Sequence, residues 1–95
     1  MNNKEYTSDH LDFVYSKHAL IQIELRNLPV STVEDVLRNP DRIINDVADV
    51  LVYQKVVIEA GKSYLYRVFV NASKTPGMVI TAYRTSKTDK YENKI

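Results

Sequence analysis

The sequence predicts an α+β domain in which two N-terminal helices pack on one face of a three- to four-stranded antiparallel sheet. Apolar residues recur at helical spacing through residues 16–38, and from residue 43 onward they form short runs or alternate with polar residues, as in strands. Short polar turns separate these later runs, and strands joined by short turns usually pair antiparallel.

The first helix is predicted over residues 16–27. Ser16 is a typical N-cap residue, and Ile21 and Leu25 then follow at helical spacing. Pro29 ends the pattern, because proline disfavours helical backbone at the residue before it.

The second helix is predicted to begin at Ser31. Ser31 and Glu34 have the spacing of a capping box, in which the two side chains satisfy free backbone N–H groups at the helix start. Val36 and Leu37 belong to its apolar stripe, and Pro40 ends it. Two short helices joined by a few residues form a helical hairpin.

Four strand segments are predicted after the helices. A short edge strand lies at Ile43-Ile44, and longer strands span residues 50–58, 64–70 and 78–84. Turns that contain glycine or proline separate the longer strands. Residues 85–95 form a basic tail.

The length and composition of the chain indicate a single folded domain over residues 13–92. A flexible N-terminus at 1–12 precedes it, and a short C-terminal tail at 93–95 follows it. Apolar residues make up 44% and charged residues 26% of the 95, as in ordinary folded proteins. The absence of cysteine excludes a disulfide scaffold, an iron–sulfur cluster and a cysteine nucleophile, and no cofactor is predicted. The sequence has no apolar signal core and no run of the roughly 20 apolar residues that span a bilayer, so a cytoplasmic location without membrane contact is expected.

Charge is distributed unevenly along the chain, although the net charge is only +1. Residues 1–61 contain six Lys/Arg against ten Asp/Glu, and residues 62–95 contain seven against two. A basic surface raises the local concentration of polyanions such as RNA. The alternative is an ordinary solubilising mixture of surface charges.

Common enzyme motifs are missing. Two glycines in the whole chain exclude a glycine-rich phosphate loop. His10 and His18 are eight residues apart and lack the spacing of a zinc-binding helix, so no metal site is predicted.

The remaining polar residues fit RNA chemistry. RNA is cut without a metal when a base removes the 2′-OH proton, cations stabilise the phosphate and an acid protonates the leaving oxygen. Arginine suits the phosphate because its fork donates two parallel hydrogen bonds, and tyrosine stacks on unpaired bases. The predicted catalytic residues are His18, Arg67, Arg84 and Tyr91, and the predicted RNA-binding residues are Arg26, Thr81, Tyr83, Lys87 and Lys90.

In this scheme Arg67 and Arg84 converge from neighbouring strands on one scissile phosphate. His18 acts as general acid or base, with Tyr91 as the alternative proton carrier. The two tail lysines hold the RNA backbone. The scheme requires both guanidinium groups to lie at one exposed place.

Each candidate also has a structural explanation. His18 lies at the edge of the apolar stripe of its helix, and Arg26 lies near a helix C-terminus, where a cation interacts well with the helix dipole. Arg67 can be salt-bridged within its apolar strand. Thr81 and Tyr83 are good strand residues in any case. The last cations can be no more than a charged tail.

The order of these motifs resembles a small bacterial domain family that is related to BrnT- and RelE-like toxins of the barnase/colicin/RelE group of ribonucleases. The resemblance covers residues 13–92. The motifs that carry it are His18-Ala19-Leu20 with Arg26, the helix at 31–37 with the turn Asn39-Pro40-Asp41-Arg42, the strand Val79-Ile80-Thr81-Ala82-Tyr83-Arg84, and the basic segment that ends at Tyr91-Glu92.

The resemblance implies a RelE/BrnT-like fold with two N-terminal helices on an antiparallel sheet. It also implies a metal-independent endoribonuclease of the toxin type that cleaves mRNA, with RNA as substrate and a cognate antitoxin as protein partner. The positions that match the family are His18 and Arg26 on the first helix, Arg67 on the central strand, and Thr81, Tyr83 and Arg84 on the last strand.

Two other functions stay open. The family often has an arginine four residues after the helix histidine, and this chain has Gln22 there. A neutral amide favours a non-catalytic RNA- or protein-binding regulatory module that retains the fold. A third possibility is a structural oligomer that pairs through an open sheet edge. The sequence does not predict the oligomeric state.

Overall fold

A computed structural model of the protein describes residues 13–88. The predicted flexible N-terminus at 1–12 and the tail at 93–95 lie outside the described residues, as do Lys90 and Tyr91. No helix in the described part of the chain is long and apolar enough to cross a membrane.

Five strands and two helices make up the fold. In chain order they are β1 (Phe13–Tyr15), α1 (Lys17–Leu25), α2 (Val30–Arg38), β2 (Arg42–Asn45), β3 (Val50–Glu59), β4 (Lys62–Asn71) and β5 (Gly77–Thr85). The strands form one sheet in the order β1-β5-β4-β3-β2. β1 pairs parallel to β5, and the other neighbouring strands pair antiparallel. α1 packs against β5, and α2 packs against β3 and β4.

The predicted arrangement, two N-terminal helices on a three- to four-stranded antiparallel sheet, is wrong. The chain is α+β with two helices, but a strand precedes them, and the sheet is mixed with five strands. β1 is three residues long, which is too short for its own alternation to indicate a strand. Its partner is distant in sequence, because Phe13 lies opposite Gly77.

Gly77 allows β1 and β5 to approach closely. A Cβ atom on Gly77 would lie 3.0 Å from Cγ1 of Val70 and 3.4 Å from ring atoms of Phe13. A larger residue at this position would therefore displace the buried Val70 side chain of β4 and press against the Phe13 ring.

α1 has well-formed ends at both sides. The Ser16 hydroxyl accepts a hydrogen bond from the Ala19 N–H at 3.0 Å, as the sequence predicts for an N-cap. At the other end Asn27 has φ 54°, and the Leu28 N–H donates to the Ile23 carbonyl at 3.0 Å. This is the Schellman pattern, which ends the helix two residues before the predicted boundary.

α2 begins one residue earlier than predicted. Its N-cap is Pro29, and no side chain caps it. The Pro29 carbonyl accepts the Thr32 and Val33 N–H groups at 3.0 and 3.1 Å. The predicted capping box at Ser31 is wrong, because Ser31 already lies inside the helix.

Replacing Ser16 by alanine is expected to lower the stability of the protein, and replacing Ser31 is not. The Ser16→Ala variant loses the acceptor of the Ala19 N–H, which lowers the free energy of unfolding by about 1 kcal/mol. Ser31→Ala is the matched control and is expected to stay within about 0.5 kcal/mol of the parent. Urea unfolding followed by circular dichroism measures both. Equal losses would contradict the two cap assignments.

The four predicted strand segments correspond to β2 to β5. Ile43-Ile44 lies in β2, which forms one edge of the sheet, so the predicted edge strand is confirmed. β3 and β4 are joined by Ala60 and Gly61, which have φ angles of 52° and 78°. Two successive positive φ angles are typical of the type I′ turn that joins two strands directly.

The core lies between the helices and one face of the sheet. Alternate residues of β4 point into it, and Phe13 and Tyr15 of β1 pack against its edge. The buried members are Ala19, Ile23, Leu28, Val33, Val36, Leu37, Tyr66, Val68, Val70, Val79 and Ala82.

A bulge at Ile80 interrupts β5. Val79 lies opposite Val70 and Thr81 lies opposite Phe69, so Ile80 is an extra residue without an opposite neighbour. The residues after the bulge consequently face the side opposite to the one that plain alternation from Val79 would give.

Candidate functional site

The two faces of the sheet have different neighbours. One face packs against the helices and carries the core. The other, here called the far face, carries the alternate side chains of β3, β4 and β5. Polar residues on the far face therefore point away from both helices.

Four polar residues form a line across the far face. Arg42 of β2 lies opposite Gln54 of β3, Gln54 lies opposite Arg67 of β4, and Arg67 lies opposite Tyr83 of β5. Directly opposite residues share one face of a sheet. These four residues, here called the polar row, therefore cross four adjacent strands at one level.

Arg67 is fixed at the centre of the polar row. Its Nε donates to Gln54 Oε1 at 3.1 Å, and its Nη1 donates to the Tyr83 hydroxyl at 2.8 Å. Its guanidinium carbon lies 5.5 Å from the ring centre of Phe69 and 5.9 Å from that of Tyr83. These hydrogen bonds and ring contacts give this cation a defined orientation.

Solvent exposure varies along the polar row. Gln54 is only 3% exposed, and Val52 and Leu65 on the same face are 1% exposed. Arg67 and Tyr83 are half-buried, and Arg42 is exposed at the β2 edge. The row therefore runs from an exposed cation at one edge to a half-buried cation and phenol near β5.

A small cavity of about 140 Å³ adjoins the β2 end of the polar row. Asp41 lines it, and one Asp41 carboxylate oxygen accepts the Val56 N–H at 2.9 Å. That bond lies beside the start of β2, because Asp41 directly precedes Arg42. The cavity is smaller than pockets that enclose whole ligands, so it suits a single small group. Its lining residues are Asp41, Arg42, Gln54, Val56 and Leu65.

Arg84 lies on the helix-covered face, away from the polar row. It is opposite Tyr66, and its Nη1 lies 2.5 Å from a carboxylate oxygen of Glu59. The Tyr66 hydroxyl donates to the other oxygen of Glu59 at 2.5 Å, and the Arg84 guanidinium stacks on the Tyr64 ring at 4.6 Å. Hydrogen bonding with Tyr66 and the charge of Glu59 raise the pKa of Arg84 above its ordinary value.

The cleavage scheme requires Arg67 and Arg84 to meet at one phosphate. The two arginines lie on opposite faces of the sheet and do not meet. They lie on neighbouring strands, but Arg67 is opposite Tyr83 and Arg84 is opposite Tyr66. The bulge at Ile80 is the physical reason, because it inverts the alternation in the second half of β5. Arg84 is also held in an ion pair with Glu59.

His18 and Arg26 lie with α1, away from the polar row. His18 is exposed in the first turn of α1. Arg26 reaches β5, where its Nη1 donates to the Ala82 carbonyl at 2.8 Å and lies 3.4 Å from the Thr81 hydroxyl. β1 covers the outer edge of β5 only as far as Val79, so Arg26 caps the edge beyond it.

Lys87 follows β5 and is exposed. Its backbone N–H donates to the Thr85 hydroxyl at 3.1 Å. Lys90 and Tyr91 lie outside the described residues, so their predicted roles stay predictions.

Sequence reasoning missed two members of the polar row, Arg42 and Gln54. The sequence does contain a signal for Gln54, which stands within the apolar strand over residues 50–58. A neutral amide at such a position needs a hydrogen-bond partner, and Arg67 on the next strand provides one.

No group of three or more histidine, cysteine, aspartate and glutamate residues that could hold a metal ion occurs within residues 13–88. The polar row itself has cationic, amide and phenol groups, which bind anions and aromatic rings rather than metal ions.

No curated protein and no solved structure matches the chain. Residues 15–84, which span all but the first two residues of β1, both helices and nearly all of β5, match a protein family described as a domain of unknown function, DUF4258. The match covers more than half of the chain, and the chain therefore belongs to the DUF4258 family.

Proposed function

We propose that this chain is a non-catalytic module of the cytosol that binds single-stranded RNA through the polar row. The observation that carries the proposal is the pairing of Arg67 with Tyr83 at 2.8 Å on the far face. A cation and an aromatic ring from neighbouring strands thus lie side by side, next to a second ring, Phe69.

The chemistry of these residues suits RNA. Arginine binds phosphate through its planar fork, and aromatic rings stack on unpaired bases. Arg42 adds an exposed cation at the β2 end of the row. Strands in a sheet lie about 4.8 Å apart, so the row spans about 14 Å from β2 to β5. That length suits a short single strand laid across the β-strands.

Binding is proposed rather than cleavage because the cleavage scheme is divided between two sides of the sheet. Arg84 and His18 lie on the helix side, and Arg67 lies on the far face. The far face keeps groups that hold a phosphate and a base. The family resemblance implies metal-independent cleavage by a toxin-type nuclease. The binding experiment described below also detects such cleavage.

Replacing Arg67 or Arg42 is expected to weaken RNA binding. A labelled RNA of about 12 nucleotides, titrated with protein in EDTA, gives the Kd by fluorescence anisotropy. Arg67→Ala loses a charged hydrogen-bonding group and is expected to raise Kd by about tenfold to a hundredfold. Arg42→Ala is expected to lower the slope of log K against log salt by about one unit.

Arg38→Ala is the matched control, because Arg38 is an exposed arginine at the end of α2. It is expected to change Kd by less than about twofold. Arg42 is exposed at the β2 edge, so its variant stays informative even if Arg67→Ala is less stable. Absence of binding by the parent protein would refute the proposal, as would equal effects of Arg42→Ala and Arg38→Ala. RNA cut in EDTA by the parent and not by Arg67→Ala would replace binding with catalysis.

A further inference from the structure

α1 is apolar on the side that faces solvent as well as on the side that faces the core. Ala19 and Ile23 are buried against the sheet, whereas Leu20, Ile21 and Leu25 are 51%, 48% and 70% exposed. A helix advances about 100° per residue, so Ile21 points about 180° away from the midpoint of the buried pair. Helices with apolar residues on all sides are normally covered on all sides.

A groove continues this apolar surface. It has a volume of about 440 Å³ and lies between α1 and the start of α2. Val30, which is 52% exposed, forms its far wall. The lining residues are Leu20, Ile23, Glu24, Asn27, Leu28 and Val30. The protruding side chains of Ile21 and Leu25 and this groove therefore lie on one continuous surface.

We propose that this surface joins two copies of the chain in a symmetric dimer, with their α1 helices packed antiparallel and Ile21 near the two-fold axis. A two-fold interface requires a surface that is complementary to itself. An exposed apolar residue at the axis meets this requirement, because Ile21 of one copy packs on Ile21 of the other.

The charges on α1 fix the antiparallel direction. In an antiparallel pair centred on residue 21, position 17 of one helix lies near positions 24 and 25 of the other. Lys17 of one copy thus approaches Glu24 of its partner, and both residues lie on the same flank of the helix. A parallel pair would instead place Lys17 beside Lys17 and Glu24 beside Glu24. The dimer does not use the far face, so this inference is independent of the proposed RNA binding.

Sedimentation velocity of the full chain over a range of protein concentrations tests the proposal. The parent protein is expected to form dimers, and Ile21→Glu is expected to weaken them by about a hundredfold or more, because two carboxylates would meet at the axis. Ile58→Glu is the matched control, since Ile58 is 64% exposed at the end of β3. It is expected to leave the dimer unchanged. Circular dichroism checks that each variant is folded.

A charge exchange tests the direction of packing. Lys17→Glu and Glu24→Lys each create like charges across the interface and are expected to weaken the dimer by about fivefold. The double variant restores opposite charges and is expected to return to within about twofold of the parent. A protein that is monomeric at all concentrations would overturn the proposal and indicate a different protein as the occupant. A dimer that Ile21→Glu leaves intact, or additive losses in the double variant, would also overturn it.

Discussion

Replacing Tyr66 by alanine is expected to lower the free energy of unfolding by about 4 kcal/mol. Tyr66 is fully buried in the middle of β4, between the helices and the sheet. Its loss leaves a cavity the size of an aromatic ring, and it removes the hydroxyl that donates to Glu59. Urea unfolding followed by circular dichroism measures the change.

Two variants separate the contributions of the ring and the hydroxyl. Tyr66→Phe keeps the ring and is expected to lose only about 1 kcal/mol, the usual contribution of one hydrogen bond. Tyr64→Ala removes a half-buried ring two residues earlier on the same face and is expected to lose less than Tyr66→Ala. If Tyr66→Phe were as unstable as Tyr66→Ala, the hydroxyl and not the ring would hold the core.

Raising the pH from about 9 to about 12 is expected to remove up to about 5 kcal/mol of stability through two tyrosines. Burial, with hydrogen bonding to Glu59, raises the pKa of Tyr66 to about 12. Burial, with the nearby charge of Glu34, raises the pKa of Tyr15 to about 12. The Tyr15 hydroxyl is buried without a hydrogen-bond partner among the described residues.

The direction of this pH effect follows from the number of protons that the folded and unfolded states bind. An unfolded tyrosine has a pKa of about 10, so between about pH 10 and 12 the folded state holds protons that the unfolded state has released. The stabilisation is complete below pH 10 and is lost as the pH rises toward 12. Urea unfolding at both ends of this range measures the loss.

Phenylalanine variants isolate the two tyrosines from other groups that titrate at high pH. Tyr15→Phe and Tyr66→Phe are each expected to reduce the alkaline loss by about half of the tyrosine contribution, up to about 2 to 3 kcal/mol. Each variant differs from the parent by a single phenolic hydroxyl, so a smaller alkaline loss in a variant is assigned to the tyrosine that it lacks. An alkaline loss that stays the same in the double variant would show that other groups cause it.

Local signals in the sequence were enough to predict both helices and four of the five strands. Ser16 caps α1 as predicted, and the apolar runs after Pro40 correspond to β2 to β5. β1 was not predictable in this way, because three residues carry no period and their partner is near the other end of the chain. Pro29 also takes the place that the Ser31 capping box was expected to fill.

The candidate site was predictable in part. Arg67 and Tyr83 were both chosen from the sequence, and the structure brings them into contact. Arg84 was expected to converge with Arg67 from the neighbouring strand, and the bulge at Ile80 turns it to the other face. A bulge arises from strand pairing and packing across the whole sheet, so the alternation pattern of one strand does not contain it.

The pairing of β1 with β5 has a consequence for the order in which the protein is assembled during synthesis. β1 and α1 both rest on β5, the last strand of the sheet to leave the ribosome. A nascent chain that stops before Gly77 gives β1 no strand to pair with and leaves the buried side of α1 exposed to water. The early part of the chain therefore reaches its final position only after the late part is made, and contacts between residues so far apart in sequence slow folding.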